Sequence, residues 1–131
     1  MCYTVMLDQK TRRQRLTKHF SFEEMTRTSF RTDNTPDEFA FNNLLYTCRI
    51  LESVRCKFGF PIPITSGFRT ATVNSLAGGS KNSYHLDGRA VDIDVSSMCT
   101  EKIDKLETIL WMYNPVELIR YSTKHIIHVA F

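Results

Sequence analysis

The chain has 131 residues, of which 42% are hydrophobic and 24% charged, a composition typical of a globular domain and unlike that of a disordered or fibrous protein. Its 17 Lys and Arg residues against 14 Asp and Glu residues give a net charge of +3, which is too small to indicate a nucleic-acid partner. No apolar run reaches the roughly 20 residues of a membrane span, and residues 1–10 lack the pattern of a secretory signal peptide. We therefore expect a protein that is synthesised in the cytoplasm and has no membrane span.

The N-terminal segment carries a basic cluster, KTRRQR at residues 10–15, followed by Lys18. Such a cluster can contact nucleic acid, but that use requires aromatic residues for stacking beside the charges. Charge runs of this kind are otherwise common on solvated surfaces. We interpret residues 1–15 as an N-terminal arm and residues 16–131 as one domain.

Two helix starts follow the arm. The sequence SFEE at residues 21–24 is a capping box and predicts a short helix through about Arg27. The sequence TPDE at residues 35–38 predicts a second start, with Thr35 as the N-cap and Pro36 at the first helical position. Apolar residues then recur at helical spacing as far as about Lys57, and Gly59 ends the helix.

Short elements of both kinds occupy the rest of the chain. The prolines of residues 61–66 predict an edge strand or the start of a strand. Residues 70–77 predict one or two helical turns, residues 89–95 a strand, residues 100–113 a helix, and residues 116–121 and 125–131 two closing strands. Helices followed by short strands around a long loop predict an α+β domain.

Four cysteines, Cys2, Cys48, Cys56 and Cys99, form no recognisable framework. Cys48 and Cys56 lie eight residues apart in one predicted helix, a rise of about 12 Å that exceeds the reach of a disulfide. We expect reduced thiols and no zinc site built on cysteine.

The chemically informative stretch runs from Gly78 to Asp92. His85 and Asp92 are seven residues apart, and Gly88 between them permits the chain to turn, so both side chains can converge. Asp92 interrupts an apolar strand, where a carboxylate is costly unless it is paired or bound to a metal. A second imidazole, His128, lies among apolar residues of the last strand. Two imidazoles and one carboxylate are a usual catalytic zinc set with a fourth position for water, although spacing alone also allows ordinary core or surface residues.

The pattern Ser83-x-His85-x-x-Gly88-x-Ala90-x-Asp92-Ile93, together with Ile127-His128-Val129, resembles that of the zinc peptidases that cut peptidoglycan peptides. This family contains D-Ala-D-Ala carboxypeptidases, D-Ala-D-Ala dipeptidases and the L-alanyl-D-glutamate endopeptidases of bacteriophage lysins, and it shares its fold with the hedgehog signalling domain. The similarity covers about residues 16–131. Its further matches are His19-Phe20-Ser21-x-x-Glu24-Met25, Asn34-x-Pro36, Leu51-Glu52-x-x-Arg55, Pro63-Ile64-x-Ser66-Gly67-Phe68-Arg69 and Asn74-x-x-x-Gly78-Gly79-Ser80.

The resemblance implies a small antiparallel sheet with helices packed on one side, and a role for each matching residue. Zinc (Zn²⁺) is expected to be bound by His85, Asp92 and His128. Arg69 is expected to contact the substrate and the developing oxyanion, a task that suits a permanently charged group with a fork of donors. Ser83 and Tyr84 are expected to shape the substrate pocket or to hydrogen-bond to a ligand.

The chain departs from the family at the general base. The peptidases usually place an acid three residues before the last histidine ligand, and here that residue is His125. Histidine can perform acid–base catalysis near neutral pH. Strand alternation, however, places His125 and His128 on opposite faces unless a bulge intervenes. Glu117, on the neighbouring strand, is the other candidate, and the sequence leaves both open.

The resemblance thus predicts a monomeric zinc metallopeptidase that hydrolyses amide bonds in peptidoglycan stem peptides. The alternative is a catalytically silent zinc-binding module on the same fold, which binds peptidoglycan or a protein. Without a signal peptide, we expect the protein to act on the cell wall after release, as an endolysin does, or as part of a virion.

Overall fold

The structure, a computed structural model, describes residues 14–131. The predicted N-terminal arm therefore lies almost wholly outside the described residues, and its last residue, Arg15, begins the first strand. The elements in chain order are β1 (Arg15–Thr17), β2 (Phe20–Ser21), α1 (Phe22–Thr26), α2 (Glu38–Phe58), β3 (Ile64–Ser66), α3 (Ala71–Leu76), a 3₁₀ turn (Tyr84–Asp87), β4 (Ala90–Asp94), α4 (Thr100–Trp111), β5 (Glu117–Tyr121) and β6 (Ile126–Ala130).

The main sheet is antiparallel, with the strand order β3-β4-β6-β5, and β1 and β2 form a separate two-stranded ribbon. This arrangement confirms the predicted α+β fold. β3 lies at an edge, as its prolines predict. An irregularity in β3 lets Ile64 pair with Ile93 of the core while Ser66 pairs with Asp92.

The two faces of the sheet differ in polarity because side chains alternate along each strand. One face presents Val91 and Ile93 of β4 and Ile127 and Val129 of β6, all of them fully buried. The helices α2 and α4 cover this apolar face, and their leucines complete the core. The opposite face, which we call the site face, carries Asp92 of β4 beside His128 of β6.

Helix α1 begins as predicted, since the Ser21 side chain accepts a hydrogen bond from the Glu24 backbone N–H at 3.1 Å. The start of α2 corrects the prediction: its N-cap is Asp37, whose carboxylate accepts from the Ala40 N–H at 2.8 Å. Thr35 lies two residues before this N-cap, and its hydroxyl donates to the Asp33 carboxylate at 2.6 Å. A carboxylate at the N-cap also interacts favourably with the helix dipole.

The 3₁₀ turn is pressed against α2, and Gly88 makes this possible. Gly88 has a φ of +75°, and a Cβ built on it would lie 2.4 Å from the Ala40 carbonyl oxygen. The Thr47 hydroxyl of α2 donates to the Gly88 carbonyl at 2.8 Å. Helix α2 thereby sets the position of His85, which lies in this turn.

Two further predictions concern the cysteines and the lack of a membrane span. Cys48, Cys56 and Cys99 are free thiols, and Cys48 is buried in the core on one face of α2. Burial, together with the nearby Glu24 and Glu52 carboxylates, raises the pKa of the Cys48 thiol to about 12. Within residues 14–131, none of the helices has the length and hydropathy needed to cross a membrane.

Candidate metal centre

Three elements bring His85, Asp92 and His128 together on the site face. Asp92 and His128 are directly paired in the β4–β6 register, and their side chains touch, with His128 Nδ1 2.8 Å from Asp92 Oδ1. His85 enters from the 3₁₀ turn, so that its Nε2 lies 3.3 Å from the same carboxylate oxygen. One donor atom of each residue lies within 4.8 Å of the other two. Residues that are 43 positions apart in the chain thus form one cluster.

The ring of His85 is oriented by a backbone carbonyl. Its Nδ1 lies 2.6 Å from the Gly67 carbonyl oxygen, which can only accept, so Nδ1 carries a proton and Nε2 is the ring nitrogen that faces the cluster. Glycine at position 67 allows the chain to pack against Met25 of α1, since a Cβ there would lie 2.3 Å from the Met25 carbonyl oxygen. Sequence analysis missed this role, because a backbone acceptor leaves no side-chain signal.

The ring of His128 has a partner at each nitrogen. Nδ1 faces Asp92, and therefore the position between the three residues, whereas Nε2 lies 2.5 Å from Glu117 Oε1. Glu117 belongs to β5, where it pairs with Ala130. It is thus a diagonal neighbour of His128 on the site face, within reach of a long side chain.

Arg69 holds the second oxygen of the Asp92 carboxylate. Its guanidinium donates to Asp92 Oδ2 at 3.3 Å, to Ser66 Oγ at 3.0 Å and to Asn74 Oδ1 at 3.4 Å. The buried Asn74 in turn donates to the Ser80 carbonyl at 2.8 Å, which ties the loop after α3 to the cluster. Sequence analysis assigned no role to Ser66 or Asn74. Their only signal was their presence in the matched motifs.

The electrostatics of the cluster favour an ionised Asp92. Burial raises the pKa of Asp92, but hydrogen bonds with His128 and His85 outweigh burial and hold this pKa far below its usual range. Burial lowers the pKa of His128, whereas the Asp92 and Glu117 carboxylates raise it by a larger amount. A carboxylate thus remains charged between two imidazoles, one of which readily takes up a positive charge.

The donor set fits a zinc ion. Zinc in catalytic sites is commonly held by three protein ligands from imidazoles and a carboxylate, which leaves one coordination position open. His85 Nε2, Asp92 Oδ1 and His128 Nδ1 all face one another, and the other ring nitrogen of each histidine is engaged by an oxygen. Such outer partners are the usual companions of metal-bound imidazoles.

The cluster lies in an open cleft of about 510 Å³. Ser83 and Tyr84 both line it, as the sequence predicts for pocket residues. The Ser83 hydroxyl also accepts a hydrogen bond from the His85 N–H at 3.2 Å, which caps the 3₁₀ turn. Tyr121 and Lys124 contribute to the cleft from the β5–β6 side.

The two candidate bases differ in position. Glu117 lines the cleft, but its carboxylate is hydrogen-bonded to His128. His125 is exposed and is not among the residues that line the cleft. It precedes β6 in a left-handed conformation with a φ of 54°, and its carbonyl accepts from the Val95 N–H. The structure therefore does not bring His125 to the cluster, because the strand that carries His128 begins only at Ile126.

Comparison with known proteins relates the chain to one family of peptidases. A family model described as peptidase M15 matches residues 18–130. A zinc D-Ala-D-Ala carboxypeptidase of Streptomyces albus G is 41% identical over 56 residues, which are 42% of this chain and 22% of that protein. The match thus spans about a fifth of that relative's length.

Proposed function

The chain belongs to the peptidase M15 family, and from this membership we propose that it is a zinc-dependent peptidase that hydrolyses amide bonds in peptidoglycan stem peptides. The observation that carries the proposal is the convergence of His85, Asp92 and His128 at an open cleft. The name of the Streptomyces relative, which includes both zinc and D-Ala-D-Ala, supports the choice of metal and of substrate class.

In this proposal, His85, Asp92 and His128 hold the zinc ion. When bound, zinc supplies a Lewis acid that polarises a carbonyl group and makes water more acidic. Asp92 offsets one of its two positive charges, and neutral imidazoles leave the ion strongly electrophilic. The protein's own contribution is to hold these three ligands in one arrangement before the substrate arrives.

Arg69 orients both the site and the substrate. A guanidinium has five N–H donors, and three different acceptors engage Arg69 through its three nitrogens. Two donors remain for a carbonyl or carboxylate oxygen of a peptide in the cleft. Because its charge is permanent and its donors are prepositioned, Arg69 stabilises negative charge that develops on the scissile carbonyl oxygen.

A second candidate function is a zinc-bound module that binds peptidoglycan or a protein without cleaving it. The observation that favours it is the placement of the two candidate bases, since His125 is outside the cleft and Glu117 is engaged by His128. Both functions require the same metal site. They differ only in whether an acid–base group serves the reaction.

The test is incubation of the purified protein with purified peptidoglycan, with new amine termini and released stem-peptide fragments as the readout. We expect release that a chelator abolishes and zinc restores. His85→Ala should lose both the metal, about one zinc per chain in the parent, and the activity. The matched control His125→Ala should keep both, because His125 is exposed outside the cleft.

The outcomes separate the two candidates. Zinc binding without any new amine termini would favour the silent module. Full retention of zinc by His85→Ala would remove the assigned site altogether. In the hydrolytic proposal the protein is a monomer that reaches the cell wall after release from the cell or within a virion, as an endolysin from a bacteriophage would.

A further inference from the structure

The contact between Glu117 and His128 has a defined geometry that the zinc site alone does not require. Glu117 Oε1 lies 2.5 Å from His128 Nε2, the ring nitrogen that faces away from Asp92. The side chain can lean toward His128 because Glu117 pairs with Ala130, whose small side chain leaves the diagonal path open. Ile119, two residues further along β5, is the direct partner of His128.

This geometry separates Glu117 from the position that the three ligands share. His128 Nδ1 points to Asp92 and His85, so the carboxylate on Nε2 lies on the other side of the imidazole ring. A carboxylate in this position can accept a hydrogen bond from Nε2–H of His128. It is poorly placed to receive a proton from a molecule bound opposite Nδ1.

An unbound imidazole can carry its proton on either nitrogen, and only one of the two tautomers presents a lone pair at Nδ1. His85 solves this problem with the Gly67 carbonyl, a pure acceptor. His128 has no backbone acceptor of this kind among its hydrogen bonds within residues 14–131, where its ring partners are the Asp92 and Glu117 carboxylates. Asp92 is itself a ligand, which leaves Glu117 to select the tautomer.

We propose that Glu117 is a positioning residue: it accepts a hydrogen bond from the Nε2–H of His128 and thereby leaves the lone pair of Nδ1 free to bind the metal. This inference rests on the metal site of the proposed function. It does not depend on peptidase activity, because a silent zinc-binding module needs the same tautomer. It also means that Glu117 is not the general base.

The test compares Glu117→Gln, Glu117→Ala and, as a control on the exposed surface, Glu101→Gln. The readouts are the zinc dissociation constant, measured by competition with a chromophoric chelator, and the tautomer of His128 in the zinc-loaded protein, from long-range ¹H–¹⁵N spectra. The Gln amide oxygen can still accept a hydrogen bond from Nε2–H, so this variant should keep the parent tautomer and an affinity close to that of the parent. The Ala variant should bind zinc about 10- to 100-fold more weakly.

Three results would overturn the inference. The first is an unchanged zinc affinity and tautomer in Glu117→Ala. The second is a loss of affinity in Glu117→Gln as large as in Glu117→Ala, which would make the charge rather than the acceptor decisive. The third is a loss of peptidase turnover in both variants at unchanged zinc affinity, the behaviour of a general base.

A folding defect in the Ala variant would not remove the test. Glu117→Asp keeps the charge but is one methylene shorter, so it should bind zinc more weakly than Glu117→Gln although it remains an acid. An affinity of Glu117→Asp equal to that of the parent would contradict the required reach. If the parent binds zinc with the expected tautomer but cleaves nothing, the hydrolytic function fails while the role of Glu117 stands.

Discussion

Single hydrogen bonds decide what each side chain at the centre can do. The two histidines face the same carboxylate with different ring nitrogens, Nε2 for His85 and Nδ1 for His128. The difference follows from what lies behind each ring, the Gly67 carbonyl in one case and Glu117 in the other. The outer partners, rather than the ligand residues themselves, therefore determine which ring nitrogen faces the position of the metal.

Arg69→Lys tests whether the guanidinium acts on the substrate or only on Asp92. An ammonium group is a point charge and cannot serve Ser66, Asn74 and Asp92 in the geometry of the planar fork. We expect turnover on peptidoglycan to fall by about tenfold or more. Zinc affinity should fall less, because both histidines still contact Asp92.

The matched control for this variant is Arg49→Lys, at an exposed position of α2. It should leave turnover and zinc affinity unchanged. Equal losses of turnover and of zinc affinity in Arg69→Lys would mean that Arg69 acts only by holding the metal ligand.

The affinity for zinc should depend on pH with a definite sign. Although burial lowers the pKa of His128, the Asp92 and Glu117 carboxylates raise it above the value of a free imidazole. The proton therefore competes with the metal for Nδ1 up to a higher pH than for an isolated histidine. As pH falls through this raised pKa, zinc affinity should fall, and above it the affinity should level off.

Titration of the zinc dissociation constant between about pH 5 and 8 measures this effect. Removal of the Glu117 carboxylate in Glu117→Gln should shift the fall to lower pH, since one source of the raised pKa is gone. A dissociation constant that is flat across the range would contradict the competition.

The pairing of secondary-structure elements places the ligands. In the β4–β6 ladder, Asp92 lies opposite His128 and Ile93 opposite Ile127. A slip by one residue would turn Asp92 into the apolar core and Ile93 onto the site face. Burial of the apolar face, with each large side chain contributing about 1.5–3 kcal/mol, therefore also selects the register that forms the metal centre.

The close approach between the 3₁₀ turn and α2 is testable with two glycines of similar conformation. Gly88 and Gly59 have φ angles of +75° and +82°, but a Cβ at Gly88 would lie 2.4 Å from the Ala40 carbonyl oxygen, whereas a Cβ at Gly59 would meet no atom within 4 Å beyond its chain neighbours in the described residues. Gly59→Ala should cost about 1–2 kcal/mol of unfolding free energy, the cost of the left-handed conformation. Gly88→Ala should cost clearly more.

Urea denaturation of both variants measures the difference, which isolates the steric contact from the backbone conformation. Gly88→Ala should also weaken zinc binding, because the turn that carries His85 must shift away from α2. Equal unfolding free energies for the two variants would show that the turn adjusts freely and that the packing against α2 is not required.

In the molecule as a whole, the core that stabilises the fold and the cleft that contains the candidate site lie on opposite faces of the sheet. Helices α2 and α4 pack on one face of the sheet and bury the core, while the opposite face remains open as the cleft. The proposed metal joins a turn, β4 and β6, which come from different parts of the chain. Because an unfolded chain does not hold these ligands together, metal binding stabilises the folded state by mass action.

Zinc should therefore raise the melting temperature of the parent protein by several degrees, and excess chelator should reverse the rise. His85→Ala in either condition should melt near the temperature of the chelated parent. Scanning calorimetry with and without zinc provides the measurement. An equal rise in His85→Ala would place the bound zinc elsewhere.

Much of the fold can be predicted from short stretches of sequence. The capping box at residues 21–24, the apolar spacing along α2 and the glycine that ends it are local signals, and the structure confirms the elements that they predict. The N-cap of α2 was wrongly predicted as Thr35, because Asp37 is equally suited to the position and the helix begins only at Glu38. Local patterns thus specify which elements exist more reliably than where they begin.

The candidate site can be predicted from the sequence only in part. The motif that contains His85 and Asp92, with His128 in the last strand, carries the resemblance to a known family, so these residues could be proposed as metal ligands without coordinates, and the structure brings them together. Their meeting depends on β4–β6 pairing, on the turn against α2 and on contacts with the Gly67 carbonyl and Glu117. These contacts join positions distant in the chain, and they follow from packing of the whole core rather than from any local pattern.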